Sequence, residues 1–133
     1  MLAAANSAVL LVGRILIGAL FLVAGMMDAT ALAGATAYMA RLGFPAPEWF
    51  AILSVVIEIA GGALLVIGWK ARWAAGLLSL YVLVATGTAH QFWNTDAVQQ
   101  ANQTYHFLKN LAITGGLLLL IATGPGRLSA DKN

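Results

Sequence analysis

The twenty residues from Phe50 to Trp69, FAILSVVIEIAGGALLVIGW, contain a single charge, Glu58. A helix needs about 20 mainly apolar residues to cross about 30 Å of hydrocarbon. This stretch meets that length, and three others in the chain do as well. Ala8 to Met27 is interrupted only by Arg14, and Trp73 to Ala89 is uncharged and continues to Trp93. Tyr105 to Thr123 holds His106 and Lys109 near its start. The pattern predicts an all-α integral membrane four-helix bundle forming one domain, with spans at about 8–28, 49–69, 73–93 and 105–123.

Composition agrees. The chain has 133 residues, 61% hydrophobic and 9% charged, with a mean hydropathy of +0.86. Soluble domains carry about 25% charged residues, and disordered chains are far less apolar, so both classes are excluded. The net charge of +2 comes from seven basic and five acidic residues scattered singly. That scatter excludes nucleic acid as a partner and fits contact with membrane lipid. There is no cysteine, hence no disulfide and no thiol relay. Neither a nucleophile–base arrangement nor a phosphate or dinucleotide fingerprint is present.

The connections orient the bundle. Lys70-Ala71-Arg72 leaves room only for a tight turn. Pro45 and Pro47 delay the second span, and before them Tyr38, Met39 and Leu42 fit a short interfacial helix at about 34–42. Four spans put both termini with Lys70, Arg72, Arg127 and Lys132 on one side. Arg41 and Lys109 lie opposite with Asp28, Glu48 and Asp96. The positive-inside rule therefore predicts cytoplasmic termini. Trp49, Trp69, Trp73, Trp93 and Tyr105 at span ends form an aromatic belt. A cleaved signal peptide ending near Ala31-Leu32-Ala33 is the competing reading of the first span; the missing basic n-region and the long apolar run weigh against it.

Intramembrane charges cost about 2.5–3.5 kcal/mol each on insertion scales, so they face the bundle and find partners. At 100° per residue, Arg14, Gly18, Phe21, Gly25 and Asp28 share one stripe, and Glu58 shares a face with Gly61, Gly62 and Leu65. Ser79, Thr86, His90 and Trp93 align on the third helix, as do His106, Lys109, Asn110 and Ile113 on the fourth. Converging stripes gather Asp28, Glu58, His90, His106, Lys109 and Asn110 in the half of the bundle away from the termini, with Arg14 or Lys109 extending towards Glu58. Such a site suits a quinone headgroup, with His90, His106, Lys109 and Trp93 as donors and Glu58 as proton relay. The bland alternative makes Arg14, Glu58 and Lys109 structural ion pairs. His90 and His106 also raise haem or metal ligation, although their spacing matches no compact motif.

The chain resembles the DoxX family. The resemblance rests on Gly13-Arg14-Ile15-Leu16-Ile17-Gly18, Phe21-Leu22-Val23-Ala24-Gly25, Leu42-Gly43-Phe44-Pro45-Ala46-Pro47, Glu58-Ile59-Ala60-Gly61-Gly62, His90, Phe107-Leu108-Lys109-Asn110-Leu111 and Gly124-Pro125-Gly126-Arg127. It implies a small four-helix protein of the bacterial inner membrane, linked to quinone-dependent oxidoreductases, including a thiosulfate:quinone oxidoreductase subunit, and to oxidative-stress complexes. It places a lysine where this chain has Asp28, and that reversal of charge implies an Asp28–Lys109 or Asp28–His pairing. The leading expectation is a membrane subunit of a quinone-linked redox complex, in which other subunits supply the electrons. The alternatives are a scaffold or anchor that self-associates through its small-residue faces and, behind it, a small transporter.

Overall fold

The computed structural model describes residues 2–131 and is all-helical among them; Lys132, counted above on the terminal side, lies outside them. Helix α1 runs Leu2–Thr30, α2 Leu32–Arg41, α3 Pro47–Ile67, α4 Ala71–Ala89 and α5 Ala97–Thr123, with a short 3-10 turn at Phe92–Asn94. Four of these are long and apolar enough to cross a membrane.

Two helix starts differ from the hydropathy reading, and the first is α1, which begins at Leu2 rather than at about 8. The third span runs past Trp93 to Asn94 as read, passing from α-helix at Ala89 to the 3-10 turn. The last helix starts at Ala97 rather than 105, because Asp96 caps it by accepting the Gln99 backbone N–H at 2.9 Å. A short polar side chain at the N-cap satisfies a backbone donor that has no partner within the helix, so polar residues can begin a helix whose apolar stretch comes later.

Helix α1 packs along α3, α4 along both α3 and α5, and α2 lies against α3. The core comprises Phe21, Leu65, Leu78, Val82, Leu117 and Leu120 with the alanines of early α4. Close approach of α1 and α3 depends on glycine. A Cβ on Gly18 would lie 2.8 Å from the Gly62 carbonyl, and one on Gly62 would lie 2.8 Å from the Gly18 carbonyl. Small residues let helix backbones approach where lipid supplies no hydrophobic drive. Gly25 and Gly61 are occupied in the same way, against Glu58 with Ile59 and against Leu78. These faces are therefore spent inside the chain. All five aromatic residues assigned to the belt are exposed.

At the end of the bundle nearest the termini, residues 124–131 fold back over the α3–α4 turn. Ala130 and Asp131 donate backbone N–H groups to the Ile67 and Gly68 carbonyls at 3.2 and 2.8 Å. The Asp131 carboxylate accepts the Lys70 and Ala71 N–H groups at 2.7 and 3.0 Å. The segment thus satisfies orphan carbonyls at the end of α3 and orphan donors at the start of α4. Asp131→Ala is expected to lower stability by about 1 kcal/mol, the usual worth of a helix cap, read as a shift in thermal unfolding in detergent.

Candidate functional site

Glu58 is the most deeply placed acid in the structure. It sits mid-helix on α3, 7% exposed, and shares the inward face with Ala51, Ser54, Gly61, Gly62 and Leu65 as its spacing requires. Gly25 of α1 faces the Glu58 Cβ closely, so the side chain is directed past α1 towards α4. There Tyr81 donates its hydroxyl to Glu58 Oε1 at 2.9 Å, and Ser54 Oγ lies 2.5 Å from the Tyr81 oxygen. Glu58 Oε2 is buried and has no hydrogen-bond partner among the described residues.

The Ser54–Tyr81 end of this chain opens on a cavity of about 290 Å³ in the half of the bundle remote from the termini. Tyr38 and Phe44 close it from α2 and the loop that follows; Phe50 and Ser54 line it from α3, Tyr81 from α4, and Asp28 from the end of α1. Aliphatic side chains make up most of the remaining wall. Phe44 and Phe50 pack with ring centres 4.8 Å apart. The arrangement is the usual one for a small lipophilic ligand, a largely apolar slot with a few polar groups at fixed positions.

The other sequence candidates fall elsewhere. Arg14 is 2% exposed, but its guanidinium donates to the Pro125 and Leu128 carbonyls at 2.7 Å each and lies 3.5 Å from the Val66 carbonyl. Val66 is eight residues along α3 from Glu58, about 12 Å at 1.5 Å per residue, so Arg14 serves the C-terminal segment and not the acid. Lys109 is exposed and donates to His106 Nδ1 at 3.2 Å rather than approaching Glu58. His90 Nδ1 lies 2.9 Å from Gln103 Oε1, and the His90 and His106 rings stack at 4.9 Å. Among the described residues neither pairing expected for Asp28, with Lys109 or with histidine, is formed. Trp93 packs edge-on to Phe92 and Phe107 beside this group, while Asn110 contributes its carbonyl to Thr114. Ser79 and Thr86 are satisfied by carbonyls one turn back, Ala75 and Val82. The single converging cluster therefore resolves into an acid–tyrosine–serine chain at the cavity and a separate histidine–lysine group between α4 and α5.

The two histidines differ in what a ring nitrogen meets. A ligating histidine donates its second ring N–H to an acceptor. Gln103 Oε1 suits that role for His90, whereas Lys109, a donor only, occupies the second nitrogen of His106. Among the described residues no three His, Cys, Asp or Glu side chains come together.

Tyr81 and Ser54 escaped the sequence reading, though both carried a signal. Ser54 lies four residues before Glu58 on the same helical face. Tyr81 lies mid-span in a largely aliphatic helix, where a buried hydroxyl needs a partner.

Four apolar helices around a buried carboxyl, with exposed aliphatic flanks and aromatic ends, define a multi-pass α-helical membrane protein. The chain belongs to the DoxX family, whose model matches residues 9–91. It is 35% identical over 129 residues to the inner membrane protein YphA of Escherichia coli strain K12, covering 97% of this chain and 92% of that one. It is 36% identical over 122 residues to the inner membrane protein YqjF of the same strain, covering 92% and 88%. A Surfeit locus protein 4 homolog of Schizosaccharomyces pombe is 36% identical over 87 residues, which is 64% of this chain but 29% of that protein. No solved structure gives a significant match. With its four spans and these relatives, the chain is a multi-pass inner-membrane protein.

Proposed function

We propose that this protein is a membrane subunit of a quinone-linked redox complex and holds the quinone headgroup in the cavity beside Tyr81. The observation that carries this reading is the hydrogen-bonded run Glu58–Tyr81–Ser54, which joins a buried carboxyl to an apolar slot of headgroup size. The run works in either sense. With Glu58 ionised, Ser54 donates to Tyr81 and Tyr81 to the carboxylate. With Glu58 protonated, the carboxyl donates to Tyr81, Tyr81 donates to Ser54, and the Ser54 hydroxyl is left to donate into the cavity. A quinone carbonyl accepts that hydrogen bond and takes up protons when a partner subunit delivers electrons. Glu58 is thus the proton store and Tyr81 the relay. Lys70, Arg72 and Arg127 at the end nearest the termini support a cytoplasmic placement of that end.

The test is quinone retention and binding in purified protein. Lipid extracts examined by mass spectrometry should contain quinone, and an added short-chain quinone should bind the wild type. Tyr81→Phe removes the relay hydroxyl without emptying the slot, and should weaken that binding about tenfold, equivalent to about 1.4 kcal/mol. Quinone affinity unchanged in both Tyr81→Phe and Glu58→Gln would overturn the assignment.

A further inference from the structure

Asp28 is the one charged residue in the cavity wall. No hydrogen bond or ion pair engages its carboxylate among the described residues, because the basic groups nearest in sequence expectation are engaged elsewhere, Lys109 with His106 and His90 with Gln103. Glu58, the second acid, stands behind Tyr81 with one buried oxygen unpartnered. The cavity therefore has two carboxyl groups on its margins and no base in its lining.

Its aromatic content is complementary to that charge. Tyr38, Phe44, Phe50 and Tyr81 all contribute to the wall, and ring faces attract cations most strongly where water is excluded. Tyr38 already illustrates the chemistry: the exposed Arg41 guanidinium, itself outside the lining, lies 5.6 Å from its ring centre. An unpaired carboxylate, four aromatic rings and a slot of about 290 Å³ form a receptacle for a positively charged group carried on an apolar body. Access suits an amphiphile, since the α2 wall buries none of its own residues and lies at the end of the spans.

We propose that this cavity binds lipophilic ammonium ions, with Asp28 as the counter-ion and the rings of Tyr38, Phe44 and Phe50 around the cationic head. The site is shared with the quinone reading but does not depend on it. The probe is benzyltrimethylammonium, whose charge is permanent. Equilibrium dialysis of the full chain in an uncharged maltoside detergent at low ionic strength should show one saturable site per chain. Benzenesulfonate, similar in size and opposite in charge, should not bind. Asp28→Asn, at a position that makes no side-chain bond, should weaken the cation about tenfold, and Phe44→Leu should weaken it several-fold. Glu48→Gln, an exposed acid at the same end of the bundle, should leave it unchanged. Absence of saturable binding, equal binding of the sulfonate, or full affinity in Asp28→Asn overturns the proposal. The protein is first freed of retained quinone by detergent exchange, checked by mass spectrometry, and no quinone is added, so failure here leaves the quinone assignment to its own test.

Discussion

Trypsin should cleave the Arg127–Leu128 bond of an Arg14→Ala variant at least about a hundredfold faster than that of the wild type. Arg127 is exposed and available to the protease, but the carbonyl of Leu128 is held by Arg14 at 2.7 Å. The same guanidinium holds Pro125, and it fills the space beside Gly68, where a Cβ would lie 2.6 Å from its Nη1. Removing it deletes two charge-assisted hydrogen bonds of about 1.5–3 kcal/mol each and leaves their acceptors unsatisfied. We expect a loss of about 3–5 kcal/mol, comparable to breaking other buried charged contacts. Proteolysis of a locally opened segment follows its opening equilibrium, so cleavage rate measures this loss directly. Mass spectrometry of the time course would identify the bond cut. Equal rates in the two proteins would show that the guanidinium does not hold the segment. Arg14→Lys should be intermediate, since an ammonium cannot span both carbonyls with the geometry of a guanidinium.

The second large effect is expected at Gly62→Val. Its new Cβ meets backbone, the Gly18 carbonyl at 2.8 Å and the Leu22 nitrogen at 2.9 Å, and backbone cannot turn aside as a side chain does. Helices α1 and α3 would have to separate along the most extensive contact in the bundle. Overpacking a well-filled site costs about 1–3 kcal/mol when side chains can adjust; here we expect at least the upper end and a sharp fall in folded yield. Gly13→Ala is the control, for nothing lies within 4 Å of its Cβ position. Thermal unfolding of the two variants in one detergent should separate them clearly. Wild-type stability in Gly62→Val would mean that the helices are not held at this distance.

These two residues also show what the sequence made legible. The stripe Arg14, Gly18, Phe21, Gly25 was readable from helical geometry alone, and all four are buried. Likewise Glu58 had to face inward beside Gly61 and Gly62, and it does. Periodicity reports which face of a helix turns inward, and the cost of an intramembrane charge reinforces it. It does not report which neighbour the face meets. The partner of Arg14 proved to be the C-terminal segment, because backbone carbonyls are acceptors that no residue type advertises. Lys109 was assigned inward on the same logic, yet near a span end its long side chain can reach the surface, and it is exposed. The Glu58 partner was missed because a tyrosine in an apolar helix looks hydrophobic until its hydroxyl is considered. Quinone, cation and electron donor alike lie beyond what periodicity can encode.

The hold of Arg14 on the C-terminal segment bears on how the chain is made. The arginine enters the bilayer with the first span, but Pro125 and Leu128 follow 111 and 114 residues later. Until the last helix has been made, a guanidinium costing about 2.5–3.5 kcal/mol to insert lacks both of its close acceptors and has only the longer contact to the Val66 carbonyl, 52 residues on. The insertion machinery, water or lipid phosphate must shelter it until the last helix is in place. Closure of the bundle is therefore a late event in biogenesis, and a nascent chain arrested before residue 125 would carry α1 into the membrane with its most demanding residue still waiting.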